Sequence, residues 1–226
     1  MLRTPLILLL AGLVGAAILS AQATAAGTIQ AQGSATLNVQ PDQAQLSVSV
    51  STDAATAQQA ASQNGTQTNQ VLNALKQVLG NSGTVQTIGY SINPRYSSGT
   101  NPTVIGYTAM NTVQITTSDL SLPGQLIDAA SGSGATNVYG LTFGLHDPDP
   151  SRQQALTAAT KQALAHATAI AAGLSGKAGP VISAQETGTT VPIVSPVQAV
   201  GAISSTPIVT GYVTVTANVT VTVQLQ

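Results

Sequence analysis

Residues 43–79 read QAQLSVSVSTDAATAQQAASQNGTQTNQVLNALKQVL, and this stretch contains both of the periodicities that define the fold. In its first part apolar and polar residues alternate, which predicts a strand with one buried face. The apolar residues then recur every three or four positions, which predicts an amphipathic helix over about residues 53–79. We expect Thr52 or Asp53 to cap the start of this helix and Gly80 to end it.

Strand and helix patterns continue on both sides of this stretch. Residues 29–39 alternate apolar and polar side chains and predict an earlier strand. Downstream, the order strand, helix, strand, strand occurs twice: at 42–51, 53–79, 84–93 and 104–117, and at 137–145, 151–174, 179–187 and 211–225, with a short helix at 119–131 and a Pro-rich loop at 188–209. The predicted class is α+β, with two similar β-α-β-β lobes of about 27–117 and 118–226. Each lobe is a mostly antiparallel sheet with a long helix packed on it.

The first 26 residues have the organisation of a secretory signal peptide. Arg3 precedes an apolar run of 14 residues, Leu6–Leu19, and small residues follow it. The run is shorter than the roughly 20 residues that a membrane-spanning helix needs. We therefore expect export to the periplasm or cell envelope, with cleavage after Ala23 or Ala26. We expect no transmembrane helix in the mature chain.

Formal charge is scarce in this protein. Only 6% of the residues are charged, 6 Lys/Arg against 7 Asp/Glu, whereas an ordinary soluble domain has about 25%. Six scattered cations cannot neutralise a run of phosphates, so the composition excludes nucleic-acid binding. The absence of Cys excludes disulfides and Cys-ligated metals, and it leaves no thiol for peroxide chemistry.

His146 is followed by two nearby carboxylates, those of Asp147 and Asp149, and this group is the strongest candidate for a metal site. A His with two carboxylates is a possible ligand set for Zn²⁺ or another divalent ion. However, Asp149 followed by Pro150 is also the pattern of a helix N-cap followed by Pro at the first helical position. We favour this structural interpretation and predict no metal-binding, cofactor-binding or catalytic residues.

Two glycine-containing segments have a superficial likeness to catalytic loops. Residues Gly173–Ala178 contain Gly-Lys but follow a predicted helix, whereas a phosphate-binding loop precedes one, so we predict a helix C-terminus. Gly132-Ser133-Gly134 lacks the Gly-x-Ser-x-Gly spacing of a nucleophile elbow. A Ser-His-Asp triad would have to use His146 or His166, the two histidines of the chain.

Six aromatic residues occur on predicted strands or at their ends. We expect them to pack within the sheets, with ligand stacking as the alternative. They are Tyr90, Tyr96, Tyr107, Tyr139, Phe143 and Tyr212.

Several short motifs follow one another in an order that points to a known family. They are Gln32–Ala35, Val39–Ala44, Ile92–Tyr96, Ile105–Val113, Leu126–Ala130, Gly134-Ala135, Gly140–Phe143 and the Ala-rich helix that ends near Gly173. As an ordered set over about residues 28–225, they resemble the SIMPL domain family, which is named after a signalling molecule that associates with a mouse pelle-like kinase.

The resemblance implies an exported bacterial protein that is periplasmic or associated with the outer membrane. Some members of that family are linked to oxidative-stress defence, some are strong immunogens, and at least one forms a large ring-like or channel-like homo-oligomer. The family has no established catalytic residues, so it assigns none to this chain. The chain departs from many members in its low charge and its Pro-rich 188–209 loop.

Together these features predict a non-enzymatic exported protein of the cell envelope, a homo-oligomeric assembly or binding protein with an indirect role in stress protection. An outer-membrane β-barrel or pore-like protein is the alternative, and an exported hydrolase is a remote one. Strand 211–225 contains no Lys. If it lies at a sheet edge, its unpaired backbone groups are suited to pairing with a second copy; otherwise it is central and paired within the chain.

Overall fold

The computed structural model describes residues 27–194, 197–198 and 208–226. The predicted signal peptide lies outside the described residues, as do parts of the predicted 188–209 loop. The elements in the described ranges are β1 (Thr28–Val39), β2 (Gln43–Ala54), α1 (Ala57–Leu79), β3 (Gly83–Tyr96), β4 (Val104–Thr117), α2 (Pro123–Gly132), β5 (Asn137–Gly144), α3 (Asp149–Gly173), β6 (Ala178–Thr190), β7 (Val197–Gln198), β8 (Ile208–Val209) and β9 (Val213–Leu225).

The long strands form two antiparallel sheets, each covered on one face by a long helix. The four-stranded sheet has the order β3-β4-β2-β5, and α1 packs on it with α2 beside α1. The three-stranded sheet has the order β1-β9-β6, and α3 packs mainly on β1 and β9. The predicted α+β class, with antiparallel sheets that each carry a long helix, is confirmed.

Sheet membership does not follow the order of the chain. β1 pairs with β9 along its whole length, from Thr28 opposite Gln224 to Val39 opposite Val213. β5 pairs with β2 in the other sheet. The four-stranded sheet is therefore built from the continuous segment 43–144, and the three-stranded sheet joins β1 to the strands that follow α3. The division of the strands between the two sheets therefore does not follow the predicted lobe boundary between residues 117 and 118.

β9 is the central strand of its sheet, between β1 and β6. Its alternate residues from Val213 to Val223 are buried beneath α3, and its backbone is paired on both sides. Of the two positions that the sequence left open for residues 211–225, an edge or the centre of a sheet, the structure has the central one. Strict alternation of Val and Thr gives a strand with one dry face, but it does not distinguish an edge strand from a central one.

α3 packs on the sheet through a face made of alanines. Its fully buried residues are Ala155, Ala159, Ala163, Ala167 and Ala171. The spacing of apolar residues in helix 151–174 predicts a buried stripe of Leu156, Ala159, Ala163, Ala167, Ile170 and Leu174. Ile170 and Leu174 are instead 43% and 61% exposed. Spacing by four residues places these alanines one above another on one face. This smooth face lets the helix lie close to the sheet, which leaves no room for larger side chains.

α1 begins later than the sequence predicts. β2 continues to Ala54, and Thr56 caps the helix by accepting a hydrogen bond from the Gln59 backbone N–H at 3.2 Å. The expectation of a cap at Thr52 or Asp53 is therefore wrong, because β2 still occupies those positions. Gly80 ends the helix as predicted, with φ of 53°.

Candidate functional site

The histidine and carboxylates near residue 146 do not converge on one point. The His146 backbone N–H donates to Asp42 Oδ1 at 2.6 Å, and the Asp149 N–H donates to Asp147 Oδ1 at 3.0 Å. Asp149 in turn forms an ion pair with Arg152 at 3.1 Å. Within residues 27–194, 197–198 and 208–226, no three His, Asp or Glu side chains are grouped so that they could hold a metal ion. These carboxylates instead fix the connection between β5 and α3.

The predicted N-cap role of Asp149 is wrong by one residue. Asp149 is the first residue of α3, Pro148 precedes it, and Pro150 follows within the first turn. The carboxylate that accepts a backbone N–H at this helix start is that of Asp147. Pro148 can occupy this place because a residue that precedes the helix needs no intrahelical N–H bond.

The remaining sequence candidates have structural roles. His166 Nδ1 lies 2.7 Å from the carbonyl oxygen of Gln32, so this histidine attaches α3 to β1. The Ser133 hydroxyl donates to the carbonyl of Ala129 at 2.6 Å and helps to end α2. α3 ends at Gly173, and the predicted helix C-terminus in the Gly173–Ala178 segment is confirmed.

One carboxylate has a perturbed acidity. The side-chain hydroxyl and then the backbone N–H of Ser121 donate to Asp119 Oδ1, at 2.6 and 2.9 Å. These bonds stabilise the charged form and lower the pKa of Asp119 below its usual value. Asp119 lies in the turn between β4 and α2, and its hydrogen bonds shape that turn.

A pocket of about 190 Å³ opens beside the four-stranded sheet, near the start of α3. Its floor contains side chains of β2 and β5, its rim includes the first turn of α3, and its roof is the segment after β6. The lining residues are Gln43, Gln45, Thr142, Gly144, Leu145, Pro148, Arg152, Val191, Pro192 and Ile193. The sequence did not reveal this pocket, because its residues come from several separate segments that only the sheet topology brings together.

The roof of the pocket is tied to the edge of the four-stranded sheet. The Phe143 N–H donates to the Val194 carbonyl at 2.8 Å, and the Val194 N–H donates back at 3.0 Å. This isolated antiparallel pair carries the chain from β6 of one sheet across to β5 of the other. The pocket is therefore closed above by a short strap, residues 191–194, with exposed Ile193 at its outer end.

The edge strands β3 and β6 are exposed on both faces along most of their length. The helices cover the inner strands, so apolar side chains on these edges face solvent. The large exposed residues on them are Ile88 (52%), Tyr90 (55%), Ile92 (36%) and Tyr96 (57%) on β3, and Val181 (51%) and Ile182 (57%) on β6. Two uncovered strands of this length are a candidate surface for protein association.

The edge of β1 differs from the edges of β3 and β6 because side chains of α3 occupy it. The Ser34 backbone N–H donates to Gln162 Oε1 at 2.6 Å, and His166 contacts the Gln32 carbonyl. The middle of this edge is therefore already hydrogen-bonded within the chain.

The aromatic residues divide into two groups. Phe143 is fully buried and Tyr107 is half-buried, in agreement with packing in the sheets. Tyr90, Tyr96, Tyr139 and Tyr212 are 45–59% exposed. The expectation of a packing role is therefore wrong for these four tyrosines, because they lie on uncovered strands or at strand ends.

Similarity to known proteins extends over most of the chain. The model of one family, described as "SIMPL: Protein of unknown function (DUF541)", matches residues 29–223. The chain belongs to the SIMPL family. The uncharacterized protein YggE of Escherichia coli K12 and that of Shigella flexneri are each 29% identical over 184 residues, which cover 78% of this chain and 74% of the relative.

These descriptions assign no activity to the SIMPL family or to the two YggE proteins. None of the helices that the structure describes is long and apolar enough to cross a membrane.

Proposed function

We propose that this SIMPL protein is an exported, non-enzymatic component of the cell envelope that works by self-assembly and protects against stress indirectly. The observation that carries the proposal is the pair of uncovered edge strands, β3 and β6, on different sheets of one chain. The assembly we propose joins β3 of one copy to β6 of the next.

Most of each edge lacks the residues that usually prevent strand pairing, while Pro94 on β3, Pro180 on β6 and the β-bulges of both strands limit the pairing to the segments between them. An edge strand presents unpaired N–H and C=O groups, and Lys or Pro on the edge normally blocks an incoming strand. Neither residues 83–93 nor residues 181–190 contain Pro or Lys. Arg95 near the end of β3 is engaged with Asp53 at 2.9 Å, and Glu186 on β6 accepts a hydrogen bond from Thr189.

The two edges are different surfaces, and this determines the type of assembly. Pairing of β3 with β6 is heterologous, so each added copy presents a new free edge until the rotation closes a ring. A formal net charge of −1 on the chain gives little repulsion between copies. The ring-like oligomer implied by the family resemblance is a closed form of this contact.

The non-enzymatic part of the proposal is supported by the hydrogen bonds and the ion pair that already engage the candidate catalytic groups. The carboxylates beside His146 are engaged in backbone hydrogen bonds and an ion pair, and His166 is engaged with β1. The Ser133 hydroxyl is bonded to carbonyls of its own helix. These contacts use the groups that a hydrolytic centre would need.

Export is supported by the charged, apolar and small-residue order of residues 1–26. We expect the protein in the envelope fraction of cells that express the full chain, with a new N-terminus after Ala23 or Ala26. N-terminal sequencing of protein from that fraction measures this. Recovery of mature protein that begins at Met1 would contradict export with cleavage.

Assembly is tested by multi-angle light scattering on residues 27–226 at micromolar concentration. We expect a mass of several chains for the unmodified protein and of one chain for Ile92→Lys or Val181→Lys, because Lys on an edge strand opposes strand addition. Both positions are exposed, so these variants should keep the parent circular dichroism spectrum. Gln58→Lys, on the exposed surface of α1, is the matched control and should assemble like the parent.

Two outcomes would contradict the proposal. A parent protein with the mass of one chain at all concentrations would show that the edges do not pair. A parent oligomer that persists in both edge variants would show that association uses another surface.

A further inference from the structure

We propose that the pocket formed by β2, β5, the start of α3 and residues 191–193 binds one neutral sugar ring, either as a free monosaccharide or as a unit of a glycan. This inference is independent of the assembly proposed above, because the pocket residues do not include those of the exposed β3 edge or the exposed part of β6. It depends on the size, hydrogen-bonding groups, charge and walls of the pocket.

The size of the pocket limits the ligand to a small molecule. Its volume is about 190 Å³, whereas pockets for drug-sized ligands are about 300–1,000 Å³. At about 30 Å³ for each water molecule in the liquid, it has room for about six waters. One six-membered ring with its hydroxyl groups is of this size, whereas a nucleotide or a lipid chain is too large.

The floor of the pocket presents unused hydrogen-bonding groups of both kinds. The side chains of Gln45 and Thr142 are half-buried and form no hydrogen bond with any other residue that the structure describes. Gln43 uses its amide nitrogen on His146 Nδ1 at 3.2 Å. A carboxamide offers two donors and one acceptor oxygen, and a hydroxyl both donates and accepts. Neighbouring sugar hydroxyls, which also donate and accept, match this floor.

The charge of the pocket argues for a neutral ligand. Arg152 is the one charged residue among its lining side chains, and Asp149 neutralises it at a distance of 3.1 Å. The rim therefore has no net charge with which to select an anion. The guanidinium keeps further N–H donors, since only Nη1 contacts Asp149.

The apolar walls of the pocket match the C–H faces of a sugar ring. Leu145 and Pro148 form an apolar side, and the strap residues Val191 to Ile193 form an apolar roof. A sugar ring has hydroxyls around its rim and C–H groups on its faces. It can therefore hydrogen-bond to the floor while its C–H groups contact the roof.

The sheet surface beyond the pocket is suited to a second ring. Gln45 pairs with Thr142, and Ser47, two residues further along β2 on the same face, pairs with Tyr139 across a β-bulge. The Tyr139 ring is 45% exposed, so it can stack on an adjoining sugar. This predicts that a disaccharide binds more tightly than the monosaccharide.

Saturation-transfer NMR tests the proposal, with glucose, galactose, mannose and N-acetylglucosamine as probes and residues 27–226 as the protein. We expect at least one probe to bind with a dissociation constant in the millimolar range. Gln45→Ala and the near-isosteric Thr142→Val should each weaken binding about tenfold, the effect of losing one hydrogen-bonding partner. Gln63→Ala on the exposed surface of α1 is the control and should bind like the parent.

A second comparison separates a free sugar from a glycan unit. Tyr139→Ala should weaken binding of the corresponding disaccharide and leave monosaccharide binding unchanged; equal binding of both ligands to parent and variant assigns the pocket to a free monosaccharide. Absence of saturation transfer from all four probes would overturn the proposal. So would sugar binding that is unchanged in folded Gln45→Ala and Thr142→Val, or tighter binding of acetate or sulfate.

Discussion

Gly33 is the residue on β1 that allows α3 to lie close to the three-stranded sheet. A Cβ at this position would overlap the carbonyl oxygen of Ala159 and the amide nitrogen of Ala163, and would lie 3.0 Å from Ala163 Cα. These are backbone atoms of α3, which cannot turn away as a flexible side chain can. The alanine face of α3 and the missing side chain on β1 are therefore two halves of one close contact.

Gly33→Ala should lower the free energy of unfolding by about 3 kcal/mol, at the upper end of the range for overpacked cores. The expected cause is displacement of α3 from β1, and urea denaturation measures it. Gly65→Ala is the matched control, because Gly65 lies in α1 with no heavy atom within 4 Å of an added Cβ. That change should instead stabilise the protein by about 0.5–1 kcal/mol. Equal stabilisation by both changes would contradict the close contact.

The sequence predicted the dry face of β1, including Gly33, but not the reason for the glycine. Alternation shows which side of a strand is buried, whereas the partner of that side depends on which helix covers it. Similarly, the small residues of α3 predicted close packing, but the pattern over-counted the buried face by including Ile170 and Leu174. The buried residues of α3 are all alanines.

The edge strands differ most in whether their outer backbone groups are already hydrogen-bonded. β3 and β6 are open along most of their length, whereas Gln162 and His166 satisfy the β1 edge at its centre. An edge with occupied hydrogen-bonding groups cannot accept an added strand without first losing those bonds. The β1 edge is thus unsuited to the assembly that we propose, while β6 on the other side of the same sheet stays free.

Removing both side chains, as in Gln162→Ala with His166→Ala, should open the β1 edge. We expect additional association beyond the parent assembly, seen as a larger mass by light scattering, because two backbone groups of β1 become free. Gln153→Ala with Gln154→Ala, on the exposed surface of the same helix, is the control and should leave the mass unchanged. An unchanged mass in the first variant would show that these bonds do not protect the edge.

At the level of elements the sequence predicted most of the long helices and strands, and its errors have physical causes. The start of α1 was placed too early because β2 extends into the segment that was expected to cap the helix. The central position of β9 was left open because period-two alternation is the same for central and edge strands. The pocket was missed because Gln45, Thr142 and Pro192 are distant in sequence and meet only through the pairing of β5 with β2 and the crossing strap.

The chain forms two units. One is built from a continuous segment, and the other is built from the residues that precede and follow that segment. The four-stranded sheet with α1 and α2 uses residues 43–144, whereas the three-stranded sheet needs β1 from before this segment and α3, β6 and β9 from after it. Each sheet and its helix enclose a separate hydrophobic cluster. Sequence order suggested two consecutive lobes, because it could not show that β1 and β5 each pair with the more distant half.

This topology predicts which fragments fold alone. Residues 42–146 contain every strand and both helices of the four-stranded sheet, and their length is sufficient for an independent core. We expect this fragment to show a mixed helix and strand circular dichroism spectrum and one cooperative urea transition.

Residues 27–117 should not show this transition, because they lack β5 and α2 and leave β1 without β9. Residues 118–226 should also fail, because α3 would cover a sheet without β1. These two other fragments therefore serve as controls for chain length and composition. A cooperative transition in 27–117 together with its absence in 42–146 would show that consecutive segments are the folding units. Folding of 42–146 alone would instead show that pairing of β5 with β2 determines the boundary.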